Sequence, residues 1–157
     1  MTRPLIGLLV LACAVRPVQG QGAACTYDTC ALRLQHRFFS GVSLVQGKDG
    51  SRVARLGLFA PRVGVLAAAS DSAKAHYLAF RSHQNRGAAL TLVGLSTAIA
   101  VGALAYDESH YRDNKGLVWG LIGVGLTFSI WGGANVVKAN DQLQRSIWFY
   151  NRDLAGR

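Results

Sequence analysis

The chain has 157 residues, room for one ordinary domain and not for an array of several, and half of them are apolar against 16% charged. That apolar share is high for a soluble globule of this size and points to contact with lipid. Seventeen lysines and arginines against eight acidic residues give a formal charge of +9, which favours anionic partners.

The opening "MTRPLIGLLVLACAVRPVQG" places Arg3 before an apolar run from Leu5 to Val15 and turns polar at Arg16 and Pro17. About 20 residues are needed to cross a bilayer at 1.5 Å each, so this run is too short to span but suits a secretory signal. A signal peptide over 1–20, cleaved near Gly20, is the expectation, and an uncleaved anchor is the alternative. Neither Cys13 nor Cys25 has the flanks of a lipid-modified cysteine.

Removal of the signal takes Cys13 with it and leaves Cys25 and Cys30 in an oxidising compartment. Their C-x4-C spacing is neither a C-x-x-C redox motif nor half of a zinc ribbon, so a structural disulfide leads over free thiols or metal. A bond requires Cα atoms within about 7 Å, and five extended steps cover more than twice that. The chain must curl, and Asp28 and Thr29 are turn formers. Residues 21–62 then read as an exported, disulfide-pinned region with a short β-hairpin, because apolar and polar residues alternate on both sides of "GKDG" (47–50).

Residues 63–86 read as an amphipathic helix. Leu66, Ala69, Ala73, Tyr77 and Phe80 recur at three-and-four spacing, and Ser70 or Ser72 can cap it. Two long uncharged stretches follow, 87–106 and 116–137, joined by the short "DESHYRDNK" (107–115). Each is long enough to cross the hydrocarbon, and a chain this small has too little other apolar surface to bury both as a soluble core. The tail at 138–157 repeats the amphipathic spacing with Leu143, Ile147, Tyr150 and Leu154. The fold expected is a mainly α membrane protein: a two-span antiparallel transmembrane helical hairpin with helical extensions, preceded by a short β-hairpin region.

Small residues mark the packing faces. Gly87, Thr91, Gly94, Ala98, Gly102 and Ala105 share one stripe of the first span. On the second span Gly116, Gly120 and Gly123 line one face, while Gly125, Ser129 and Gly133 line the opposite one. One face can receive the first span and the other a second copy or an envelope partner. In the extensions, Tyr77 and Phe80 are expected to seal against Leu143, Ile147 and Tyr150. Trp148 to Tyr150 would otherwise form an aromatic belt, but about 16 Å of helix separates Trp148 from Val137.

Without the first twenty residues the charge is +7, concentrated before 87 and after 137. Signal-directed export would put both basic ends in the periplasm and the connection in the cytoplasm, against the positive-inside bias. The length and flanks of the signal decide for the exported orientation, in a bacterial cell membrane. A basic exterior attracts anionic lipid headgroups or an anionic envelope polymer, at about 1 kcal/mol per well-placed cation. Export makes no nucleic acid an expected partner.

Little points to catalysis. His36, His76, His83 and His110 are scattered, and His76 and His83 lie about 10 Å apart along one helix, too far for one zinc ion. Ser70, Ser72 and Lys74 do not make the helix-borne Ser-x-x-Lys of a serine/lysine enzyme. The spans hold no carboxylate or cation for a relay, and Asn135 reads as a tie within the hairpin. The ending "SIWFYNRDL" (146–154) resembles the tails of small bacterial envelope proteins that pair a signal peptide with a helical hairpin; the likeness covers nine residues and implies no activity. The expectation is therefore a non-enzymatic envelope scaffold or interaction subunit without cofactor, bound to membrane lipid and to copies of itself or an envelope partner. An oligomeric pore is the alternative, but Thr91, Ser96, Thr97, Thr127 and Ser129 are too dispersed to line a lumen.

Overall fold

The computed structural model describes residues 25–37, 41–106 and 108–156. The expected signal segment at 1–20, Cys13 included, lies outside the described residues. The described chain is mostly helical with one small sheet. In order it forms α1 (Tyr27–Cys30), β1 (Leu32–Arg37), β2 (Gly41–Gln46), β3 (Ser51–Arg55), α2 (Gly64–Ala67), α3 (Asp71–Ala105), α4 (Glu108–Asp113) and α5 (Lys115–Ala155).

The curl required by Cys25 and Cys30 is the single helical turn α1, which brings their Cα atoms to 5.7 Å with the sulfurs at bonding distance. The backbone N–H of Thr26 donates to Thr29 Oγ1 at 3.2 Å and closes the start of the turn. The sheet is a three-stranded antiparallel meander of order β1-β2-β3, so the expected two-stranded hairpin gains a strand. β1 pairs with β2 from Leu32↔Gln46 to Arg37↔Gly41. A third strand and a covering helix remedy the marginal stability of an isolated hairpin.

The β2–β3 turn uses both of its glycines. Gly47 and Gly50 have φ of 67° and 64°, the left-handed region that glycine enters without penalty. A Cβ on Gly47 would also lie 2.7 Å from the carbonyl oxygen of Thr29. The close approach is cohesive: the N–H groups of Gly47 and Lys48 donate to the carbonyls of Ala31 and Asp28, each at 2.9 Å, and Lys48 Nζ lies 3.0 Å from the Asp28 carboxylate. The cysteine loop therefore docks on the hairpin turn.

The helix expected over 63–86 is broken. Leu66 belongs to the one-turn α2, the chain leaves helix at Ala68 to Ser70, and α3 begins at Asp71 with Ser70 Oγ accepting from the Ala73 N–H at 3.5 Å. The break lets Leu66 turn into the core, where it is fully buried. From there α3 runs 35 residues and α5 runs 41, about 53 and 62 Å. Each is continuous through the amphipathic and uncharged stretches that the sequence distinguishes. The connection between them is not a bare loop, because it carries α4.

One apolar core lies where the sheet, the strand-to-helix connector and the extended helix ends meet. Leu32, Leu44, Val63, Leu66, Tyr77, Phe80, Ala139, Leu143 and Ile147 are buried there, and Tyr150 packs against them, partly exposed. The uncharged stretches show the opposite. Only 11% of the most apolar eighteen residues of α3 and 17% of those of α5 are buried, with Leu95, Ile99, Leu126, Ile130, Trp131 and Val137 among the exposed side chains. A compact head thus sits on a two-helix stem, and both stem helices are long and apolar enough to cross a membrane.

Candidate functional site

The seam between the stem helices is built by absent side chains. A Cβ on Gly87 would meet Val136 Cγ2 at 2.9 Å and the Gly132 carbonyl at 3.0 Å; one on Gly132 would meet Thr91 Oγ1 at 2.8 Å; one on Gly94 would meet Ser129 Oγ at 2.5 Å. Gly125 faces Thr97 Oγ1 and the Gly94 carbonyl. Backbone thus approaches backbone through glycine, as apolar helices do when side-chain burial gives no driving force.

Of the small residues singled out in the sequence, Gly87, Thr91, Gly94, Gly125 and Ser129 lie in this seam. Ala98 lines the groove of about 230 Å³ that opens beyond it, with Val101, Leu121 and Ile122. Gly102, Gly116, Gly120 and Gly133 do not take part, and a Cβ on any of them would meet nothing within 4 Å. Gly132 occupies the contact that Gly133 was expected to make, one residue and about 100° around the helix. The expected stripe continues past Gly94, but α5 does not follow it closely there.

Hydroxyls in the stem turn back on their own helices. Thr91 donates to the Gly87 carbonyl at 2.9 Å, Ser96 to Val93 at 2.8 Å, Thr97 to Gly94 at 2.7 Å and Thr127 to Gly123 at 2.9 Å. Each is satisfied without water.

Between stem and head, polar side chains tie the helices together. Asn135 Oδ1 pairs with His83 Nδ1 at 3.2 Å while its amide nitrogen donates to the Trp131 carbonyl at 2.9 Å. Gln142 Oε1 pairs with His76 Nδ1 at 2.7 Å, and the His76 ring stacks on Phe149 with centroids 5.1 Å apart. Buried Ser146 donates to the Ala73 carbonyl at 2.8 Å. Both histidines of α3 are thus held by an amide from α5. Among the described residues, no three His, Cys, Asp or Glu side chains are grouped to hold a metal ion.

The expected extension residues share the head core: Tyr77, Phe80, Leu143 and Ile147 are buried in it and Tyr150 borders it. Trp148 is exposed and lies under the Arg152 guanidinium, 5.3 Å from its ring centroid.

Several polar bonds that join the parts have no signal in the sequence. Asn151 of α5 brackets β1, accepting from the Leu32 N–H and donating to the Leu32 carbonyl, both at 2.8 Å. Tyr77 Oη accepts from the Val63 N–H at 2.7 Å and donates to the Pro61 carbonyl at 2.5 Å. Gln84 donates to the carbonyls of Gly57 and Leu58, and Asn85 accepts from the Ala60 N–H. Pairings between positions as far apart as 32 and 151 leave no local signature; the amphipathic spacing of α3 was the only signal near Gln84 and Asn85. No family model, curated protein or solved structure matches the chain.

Proposed function

We propose that this chain is a non-enzymatic membrane scaffold of the bacterial envelope. A two-span helical stem anchors it in the lipid bilayer and presents the small sheet-bearing head for interaction on the periplasmic side. The observation that carries the reading is how little of the apolar stretches of α3 and α5 is buried, beside a well-buried head core. Exposed apolar surface on this scale is costly in water and favourable in hydrocarbon. The inward-turned hydroxyls agree with it, since a lipid-facing helix must satisfy its polar groups internally, and they count against a water-filled lumen. The disulfide-spaced Cys25 and Cys30 support an oxidising compartment for the head.

Membrane location is tested by flotation of the full chain with vesicles on a density gradient after carbonate washing. Stem insertion keeps it in the lipid layer; recovery as a monomer in the aqueous fraction overturns the reading. Reporter fusions within 107–115 and after Arg157 test orientation, with cytoplasmic activity expected for the first and periplasmic activity for the second.

A further inference from the structure

We infer that α3 and α5 form a binding groove for one anionic lipid at the head–stem boundary, an inference that rests on the membrane reading above. The groove has a volume of about 350 Å³ and is lined by Arg86, Ala89, Leu90, Trp131 and Asn135. Its two ends differ in chemistry. Arg86 is the last charged residue before the uncharged stretch of α3, and Lys138 is the first after that of α5. Steps of four and three residues place Trp131, Asn135 and Lys138 on one face of α5, so Lys138 stands one turn beyond the groove on the side of Arg86. Below these cations the walls are Ala89, Leu90 and the exposed indole of Trp131.

Charge complementarity selects the occupant. Among the described residues neither Arg86 nor Lys138 forms an ion pair, whereas Lys48, Arg112, Arg145 and Arg152 each have an acidic partner. Asn135 spends its carbonyl on His83 and one N–H on Trp131, which leaves its second N–H to donate. Two cations and an amide N–H above an apolar wall match a phosphate headgroup joined to an acyl chain. A free phosphate would use the upper end alone, and a zwitterionic lipid would bring a cation of its own. Tryptophan beside the groove suits the interfacial depth this requires.

The chain has three tryptophans, so W119F/W148F leaves Trp131 as the reporter. In phosphatidylcholine vesicles, brominated phosphatidylglycerol is expected to quench Trp131 at up to roughly 25-fold lower mole fraction than brominated phosphatidylcholine, about fivefold for each of the two cations. R86Q and K138Q should each reduce that preference, and R86K should retain it. Equal quenching by the two lipids in the parent protein, or a preference unchanged in both glutamine variants, overturns the site. Recovery of emission on adding millimolar inorganic phosphate assigns the cations to free anion and overturns the lipid assignment. Absence of quenching by either lipid, with the protein failing to float, removes the membrane reading itself; equal quenching of floating protein removes only the groove.

Discussion

Alanine at Gly87 and alanine at Gly102 should move stability in opposite directions, although both glycines belong to the same small-residue stripe of α3. At Gly87 the added Cβ would stand 2.9 Å from Val136 Cγ2, 3.0 Å from the Gly132 carbonyl oxygen and 3.3 Å from the Val136 nitrogen. A rotamer change can move the methyl, but two of the three neighbours are backbone, so the helices must part by roughly a few tenths of an ångström. Overpacking of this kind costs about 1–3 kcal/mol, against up to ~1 kcal/mol gained from alanine's better helix propensity. With the full propensity gain the expected net loss is ~0–2 kcal/mol, centred near ~1 kcal/mol. At Gly102 nothing lies within 4 Å, so only the propensity gain remains, a stabilisation of up to ~1 kcal/mol. Unfolding in mixed micelles by titration with a denaturing detergent, followed by circular dichroism, measures both variants under identical conditions. Equal effects, or a greater loss at Gly102, would refute the seam.

Asn151→Ala should strip β1 from the helical support, leaving the Leu32 N–H and carbonyl without their partners at a cost of ~2–3 kcal/mol; hydrogen exchange at residues 32–37 should accelerate while the stem is unchanged. Tyr77→Phe keeps the ring in the core and removes the hydroxyl between Pro61 and Val63, so a loss of ~1–3 kcal/mol in detergent unfolding is expected, with faster exchange around 60–67. Replacing both Cys25 and Cys30 by serine opens a very small ring, which loop entropy values at about 2 kcal/mol; limited proteolysis near 25–31 should quicken while flotation with vesicles stays the same. Gly47→Ala combines a left-handed φ with a 2.7 Å approach to the Thr29 carbonyl, and should release the cysteine loop from the hairpin turn as read by exchange at Gly47 and Lys48.

The two long apolar stretches were legible because absence of charge over twenty residues is a signal that no tertiary context is needed to read. Gly50 in the turn and Ser70 as a cap were legible for a similar reason: each rests on backbone requirements within four residues. The full extent of β1 carries no turn signal of its own: it is a strand because Leu32 to Arg37 pair with β2, and that pairing is not written in its local sequence. The break at Ala68 to Ser70 carries no proline or glycine, and alanines alone favour helix; burial of Leu66 overrides them. Helical periodicity puts Gly116 and Gly120 on a different face of α5 from Gly125, but it cannot say which face meets α3. That choice depends on the approach of two backbones, and it also substitutes Gly132 for Gly133. The bracket made by Asn151 and the hydroxyl of Tyr77 are polar bonds across the fold, invisible to any window along the chain.

Both long helices pass from the head into the stem without interruption. Unbroken backbone hydrogen bonding couples the orientation of the sheet-bearing ends to that of the stem. Whatever grips the sheet therefore also steers the far tips of the two rods.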